Sequence, residues 1–184
     1  MQGQTQHAVF NNSWYKPGRN ALVRAIWHAC NSLLFMSFLP GNAWRRALLR
    51  LFGARIGKDV VIKPRVNVKY PWNLSIGEYT WLGENVWIDN LGKVSIGSNC
   101  CISQGALLLC GNHNYRKTTF DLIVGDITLE NGVWIGANAL VCPGVTCRSH
   151  AVLSAGSIAT SDMESYKIYS GNPAVAVRER NIEA

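Results

Sequence analysis

At 184 residues the chain suits one domain with an appendage and is too short for two independent ones. Its 48% hydrophobic and 16% charged residues, with mean hydropathy near zero, exclude a disordered chain, and no segment is low-complexity. The net charge of +7 is uneven: residues 1–58 hold eight Lys and Arg and no Asp or Glu, while the remaining ten basic residues face eleven acidic ones.

The N-terminal cations are Lys16, Arg19, Arg24, Arg45, Arg46, Arg50, Arg55 and Lys58. A cationic, Trp-containing segment of this kind reads as a surface for anionic lipid, or as an amphipathic arm packed on the body or on a neighbouring subunit. No Cys/His zinc spacing or aromatic RNA-binding signature accompanies it, so nucleic acid is not an expected partner. Residues 25–44 carry no charge, but His28, Asn31, Ser32, Ser37, Pro40, Gly41 and Asn42 interrupt the apolar run. It is therefore interfacial rather than transmembrane, since a spanning helix needs about 20 predominantly apolar residues. A signal peptide fits poorly because the cationic stretch before the apolar run is too long for an n-region. Helices are expected over 20–39 and 43–52, in an arm of residues 1–54 that covers one end of the body.

From Ile56 an aliphatic residue recurs every six positions: Ile56, Ile62, Val68; Ile76, Leu82, Ile88; Ile96, Ile102, Leu108. Leu129, Ile135, Val141, Cys147, Leu153 and Ala159 continue the step. A small or β-branched residue follows four positions after most of them, as at Val60, Val66, Thr80, Val86, Gly92, Cys100, Ala106, Val133, Ala139, Val145, Ala151 and Ser157. A 3.6-residue stripe would drift out of phase within two hexads, so helix is excluded across fifteen positions that hold a strict six. Glycine follows the aliphatic residue at Gly57, Gly77, Gly83, Gly97 and Gly136, which reads as corners that need a positive φ.

Three hexads close one triangular turn, so the predicted fold is a mainly β, left-handed parallel β-helix of about five coils over residues 55–165. Coils starting at Ile56, Ile76 and Ile96 are twenty residues apart, two more than three hexads need. Corner insertions are therefore expected at 70–73, at 90–93 and from Cys110 onward. The last is long, because Leu108 to Leu129 exceeds one hexad by fifteen residues, which extrudes a loop over 111–126 that holds His113. The tail, 166–184, is expected to cap the far end, and three prisms side by side would cover the flat faces. The six cysteines show no zinc spacing, and free thiols in a cytoplasmic protein are the plainer reading.

The hexads together with the segments RRALLRLFGARIG (45–57), VWIDNL (86–91), GNHNYR (111–116), GVWIGANALVCPG (132–144), AGSIAT (155–160) and GNPA (171–174) resemble the hexapeptide-repeat acyltransferases. Within them the resemblance is to the galactoside and maltose acetyltransferase branch and to acetyltransferases of colanic-acid biosynthesis. It implies a homotrimer that moves acetyl from acetyl-CoA to a hydroxyl of a sugar or lipid-linked saccharide, without a metal. His113 matches the family's base, and a neutral imidazole suits removal of a hydroxyl proton, a contribution on the order of 10²–10⁴ in rate. Asp89 follows inward-facing Ile88 and should point outward near the same corner, where relatives carry an acceptor-binding polar group. It would bind an acceptor hydroxyl or orient the imidazole, with Asn90 and Tyr115 as lesser acceptor-side candidates. The resemblance further places acetyl-CoA between subunits against Ala137, Ala155, Thr160 and Ser161, with Arg178, and Arg180 beside it, near the phosphates. Relatives often carry a basic residue where this chain has Ser161 and Val175, so fewer cationic contacts to CoA are expected.

Three other readings compete. An acyl-cysteine route through Cys110 would need a lowered thiol pKa. A zinc enzyme of the same fold would need three histidines, and only His113 and His150 lie in the repeat. A non-catalytic scaffold that binds sugar intermediates or membranes would leave His113 incidental. With the arm on anionic lipid, the expected location is cytoplasmic and peripheral to the inner face of a membrane.

Overall fold

Each hexad supplies one short strand and one corner, and the strands of successive coils stack into three parallel sheets. The structure, a computed structural model describing residues 3–183, places Arg55–Ile56, Leu74–Ile76, Val94–Ile96, Ile127–Leu129 and Thr146–Cys147 on the first face. The second face holds Val61–Ile62, Trp81–Leu82, Cys101–Ile102, Trp134–Ile135, Val152–Leu153 and Lys167–Gly171. The third holds Asn67–Val68, Trp87–Asp89, Leu107–Leu109, Leu140–Val141 and Ile158–Ala159. The hexad residues stand in register, Ile62 on Leu82 on Ile102 on Ile135 on Leu153, and likewise on the other faces. This is the expected left-handed parallel β-helix.

The coil count is slightly larger than expected. Five coils are complete, and a bridge from Met163 to Cys147 with the pairing of Ile168 and Tyr169 on Val152 and Leu153 begins a sixth. Each stacked aliphatic is buried, and full burial of such a side chain contributes about 1.5–3 kcal/mol. A second inward residue lies two positions ahead of each. Where corners are enlarged, that place is filled by Leu74, Val94 and Ile127 rather than by Gly92, which lies in a corner.

The glycines after the aliphatic residues do a different job from the one expected. Positive φ occurs at other corner positions, among them Asn85, Gly105, Asn138 and Gly156. Gly57, Gly77, Gly83, Gly97 and Gly136 are instead where the next coil passes overhead. A Cβ on Gly77 would lie 2.5 Å from the backbone nitrogen of Ser98, and one on Gly136 2.5 Å from that of Ala155. The periodic glycine therefore marks coil spacing, not corner torsion.

The arm divides into three parts. α1 (Ala21–Cys30) is capped by the Asn20 side chain, which accepts from the Val23 N–H, and continues into a π-helical turn, Asn31–Phe35. It lies along the third face, where the buried Trp27 indole donates to the Val68 carbonyl at 2.9 Å. α2 (Ala43–Leu51) covers the open end. Carbonyls of the first coil have no preceding coil to accept from, and guanidinium groups serve them: Arg46 donates to Val60 at 2.9 Å and Arg50 to Ile56 at 2.8 Å. Arg45, 1% exposed, satisfies the carbonyls of Phe35, Ser37 and Gly41 in the turn between the helices. The helices are shorter than expected because 36–42 leaves helical geometry at Ser37, Pro40 and Gly41.

At the other end a hairpin of Lys167–Gly171 with Ala174–Glu179 closes the coil, turning at the sequence GNPA and burying Tyr169. Arg180 ties this hairpin back, donating to the carbonyls of Gly132 and His150 at 2.9 and 3.1 Å. Arg180 is thus a structural clamp rather than a free phosphate ligand. All six cysteines are free thiols. Among the described residues no helix is long and apolar enough to cross a membrane.

Candidate active site

The extruded loop leaves the coil at the corner that leads from the third face to the first. Its neck is narrow: the Gly125 N–H donates to the Cys110 carbonyl at 2.9 Å, and the Cys110 N–H in turn donates to the Asp89 carbonyl one coil below. A Cβ on Gly125 would lie 2.4 Å from the Gly144 nitrogen, so only glycine passes there. Beyond the neck the loop is an antiparallel hairpin, Gly111–His113 with Leu122–Val124, stiffened by Lys117 paired to Asp121 at 2.8 Å.

His113 ends the first strand of that hairpin, half-buried. Its Nδ1 lies 2.9 Å from the carbonyl oxygen of Phe120, and its ring stacks on the Phe120 ring with centroids 4.4 Å apart and 6° between planes. Phe120 has φ +50, and this left-handed residue brings both carbonyl and ring to the imidazole. A carbonyl oxygen only accepts, so Nδ1 carries the hydrogen and the lone pair of a neutral ring sits on Nε2.

Residues that sequence reasoning missed cover this hairpin. The segment before α1 runs along it as a strap: the Gln6 N–H donates to the Thr118 carbonyl at 2.8 Å, His7 packs edge-on to Phe120, and Phe10 leans on His113 at 5.6 Å. Farther on, the Tyr15 hydroxyl donates to the Leu91 carbonyl at 2.8 Å, and the Pro17 carbonyl accepts from Trp72. Burial, reinforced by Tyr70, Asp89 and Cys110, holds the Tyr15 phenol above its ordinary range, so it stays protonated. No periodicity marks this stretch, and only its aromatic residues hint that it packs.

Asp89 points out of the coil on the same edge one coil below the loop neck, as expected, but the arm covers it to 8% exposure rather than leaving it solvated. Its Oδ1 meets Lys69 Nζ at 2.8 Å. It makes no hydrogen bond to His113, whose orienting partner is the Phe120 carbonyl. Asn90 is fully buried, and its amide brackets the Tyr70 backbone, accepting from N–H at 2.8 Å and donating to C=O at 2.6 Å. Both ends of that side chain hold a corner. Tyr115 is 74% exposed on the hairpin.

Asp89 and Lys69 open into a cleft of about 560 Å³ between α1 and the third face. Arg24, His28, Trp87 and Asn31 also line it. Asn31 is 7% exposed, donates to Asn67 Oδ1 at 2.7 Å, and leaves its own Oδ1 without a partner among the described residues. An unpaired buried acceptor costs about 1–3 kcal/mol, so a hydroxyl or water donor is favoured at this point of the cleft.

The expected donor-side residues fall on separate edges. Thr160 and Ser161 are exposed two coils above the loop neck, on the histidine edge. Ala137 and Ala155 stack at the corner between the second and third faces, where the Gly156 N–H takes the Ala137 carbonyl. Arg178 is exposed on the terminal hairpin. The single chain therefore brings His113, Asp89, Thr160 and Ser161 to one edge and not Ala137 or Ala155. Cys110 is buried and its thiol is pushed up to about 12 by desolvation, which removes the thiolate an acyl-cysteine route requires. Among the described residues no three metal-ligating side chains gather.

No family model matches the chain. It is 38% identical over 165 residues to a protein of Escherichia coli (strain K12) named colanic acid biosynthesis acetyltransferase WcaF, covering 89% of this chain and 90% of the relative. It is 31% identical over 140 residues to the galactoside O-acetyltransferase of the same strain, covering 74% and 69%. Its fold superposes on a galactoside acetyltransferase in complex with coenzyme A with TM-score 0.77 at 25% identity, over 87% of this chain and 82% of that one.

Proposed function

The chain belongs to the hexapeptide-repeat acetyltransferases and is an acetyl-CoA-dependent acyltransferase, and from that premise we propose that it acetylates a sugar hydroxyl with His113 as general base. The carrying observation is the Phe120 carbonyl on Nδ1, which leaves Nε2 as the proton acceptor. Nε2 takes the hydroxyl proton as the oxygen attacks the thioester carbonyl. A tetrahedral adduct collapses, the C–S bond breaks, and the sulfur leaves with the proton that His113 returns. An ester and free CoA result, and the imidazole is neutral again.

The acceptor sits on the side of the cleft under α1. Asn31 Oδ1 and the Asp89 carboxylate are acceptors that sugar hydroxyls satisfy, and the exposed face of Trp87 suits a saccharide ring. Galactoside acetylation by the named relative supports a sugar acceptor. The donor lies between subunits of a homotrimer, because Ala137 and Ala155 occupy a different edge from His113 and meet it only through a neighbour. Exposed Trp81 and Trp134 on the second face, 58% and 46% accessible, support burial of that face by a partner copy. Residues 1–54 then act as arm and acceptor wall, 55–165 as the scaffold, and 166–184 as the end closure. Thr160, Ser161 and Arg178 contact CoA.

His113→Ala should cut transfer by about 10²–10⁴. Assembly mass and stabilisation by acetyl-CoA should stay unchanged. Retained turnover in that variant would reject the base assignment, and loss of CoA stabilisation would mean the residue serves binding instead.

A further inference from the structure

We infer that the outer side of the N-terminal arm is a docking surface for an anionic lipid bilayer. The arm has two sides. Its inner side packs Trp27, Phe35 and Leu49 into the core. Its outer side exposes Leu22, Ile26 and Leu33, at 69%, 46% and 76%, a spacing that puts them on one stripe of α1 and the turn after it. The stripe runs into Leu34, which with Leu39, Trp44, Ala47, Leu48 and Leu51 lines a shallow apolar groove of about 530 Å³. Phe38 stands beside it at 70% exposure.

Apolar exposure alone names no occupant; charge does. None of the eight cations of residues 1–58 forms an ion pair among the described residues, where the salt bridges begin at Lys69. Arg46 and Arg50 spend donors on neutral carbonyls, which leaves their charge uncompensated. Cations also flank the apolar side chains directly. Arg65 lies 4.3 Å over the Phe38 ring, and the Arg19 guanidinium rests against Gly53, two residues past Leu51. Uncompensated positive charge around leucines and aromatics matches an interface with negative headgroups and acyl chains. A second copy presenting the same side would set cation against cation. The inference stands apart from acetyl transfer, because it needs neither His113 nor the cleft.

The test is flotation of the 184-residue chain with vesicles of phosphatidylcholine alone and of phosphatidylcholine mixed with phosphatidylglycerol. At about 0.1 M salt the chain should float with the mixed vesicles and not with the neutral ones, and about 1 M salt should release most of it, as the Debye length falls from about 10 to about 3 Å. The triple variant Leu33→Ser, Leu39→Ser, Leu51→Ser should lose at least about tenfold in partition while keeping acetyl-CoA stabilisation. Should that variant fail to fold, Arg19→Glu with Lys58→Glu, both exposed, should lose at least about tenfold. Absence of flotation with mixed vesicles, or equal flotation with neutral ones, overturns the inference. So does an assembly larger in the parent than in the leucine variant, since a second copy would then cover this side.

Discussion

Replacing Gly136 with alanine should destabilise the β-helix through the backbone of the next coil. The added Cβ would stand 2.5 Å from the Ala155 nitrogen and 2.8 Å from both the Leu153 carbonyl oxygen and the Ser154 carbonyl carbon. All are backbone, so no side chain can swing aside, and the Gly136 N–H bond to Leu153, 2.7 Å long, stretches with any separation of the coils. Overpacking of this kind costs about 1–3 kcal/mol, and weakening the hydrogen bond adds about 1 kcal/mol. For a chain of this length a loss of about 3 kcal/mol lowers Tm by roughly 6–12 °C. Gly156→Asn is the control. Gly156 has φ +67 and nothing within 4 Å of its would-be Cβ, and Asn85 and Asn138 already hold the same corner position in other coils with φ +57 and +53. Its Tm should move by no more than about 2 °C. Thermal denaturation of both variants decides the matter. If Gly136→Ala melts with the parent, or Gly156→Asn melts lower than Gly136→Ala, coil spacing is not what selects the periodic glycine.

Arg50→Met should cost about 1–3 kcal/mol by leaving the Ile56 and Gly57 carbonyls of the first coil unserved, read as a lower urea midpoint with an unchanged slope. Burial pushes the thiols of Cys110 and Cys147 from near 9 up to about 12, so the folded chain keeps protons that the unfolded chain releases. Stability should be whole below pH 9 and fall through the window from 9 to about 12, by up to about 1.4 kcal/mol per pH unit for each thiol, and Cys147→Val should shallow that slope. Phe120→Gly keeps the carbonyl and suits φ +50 but removes the stacked ring; kcat should fall well short of the His113→Ala loss, with KM little changed, whereas an equal loss would give the ring rather than the carbonyl the positioning role.

The coil was legible because its inward residues obey one step, and stacking them demands nothing but shape and burial. The enlarged corners were legible by subtraction: Pro71–Asn73 forms a short 3-10 turn, and the loop emerges at Cys110. Besides the strap, three features were not legible. The meaning of the periodic glycine depends on the backbone of the coil above, which no local pattern encodes. The arm's arginines look like surface charge in sequence, yet Arg45, Arg46 and Arg50 serve carbonyls that are orphaned only once the first coil exists. Asp89 and the lesser candidate Asn90 both read as acceptor-side corner groups, and the structural role of Asn90 shows only once the Tyr70 backbone is in place.

The histidine hairpin also illustrates why a β-helix confines its chemistry to insertions. A regular coil commits its N–H groups to the carbonyls of the next coil and its inward side chains to the core, so a plain corner offers little that is both polar and free. The insertion after Cys110 escapes that ladder. It forms its own two-stranded pairing, and the carbonyl of Phe120, turned by a left-handed residue, is spent on an imidazole instead of a neighbouring coil. The strap then limits water around that imidazole by laying Phe10 against it from outside the repeat. The base proposed for acetyl transfer is therefore set by the loop's own geometry rather than by the coil beneath. The proposed acceptor wall, in contrast, is made from the arm, through Arg24, His28 and Asn31 on or just after α1. On that proposal, substitutions in the arm such as Asn31→Ala change acceptor KM while leaving the His113 hairpin in place.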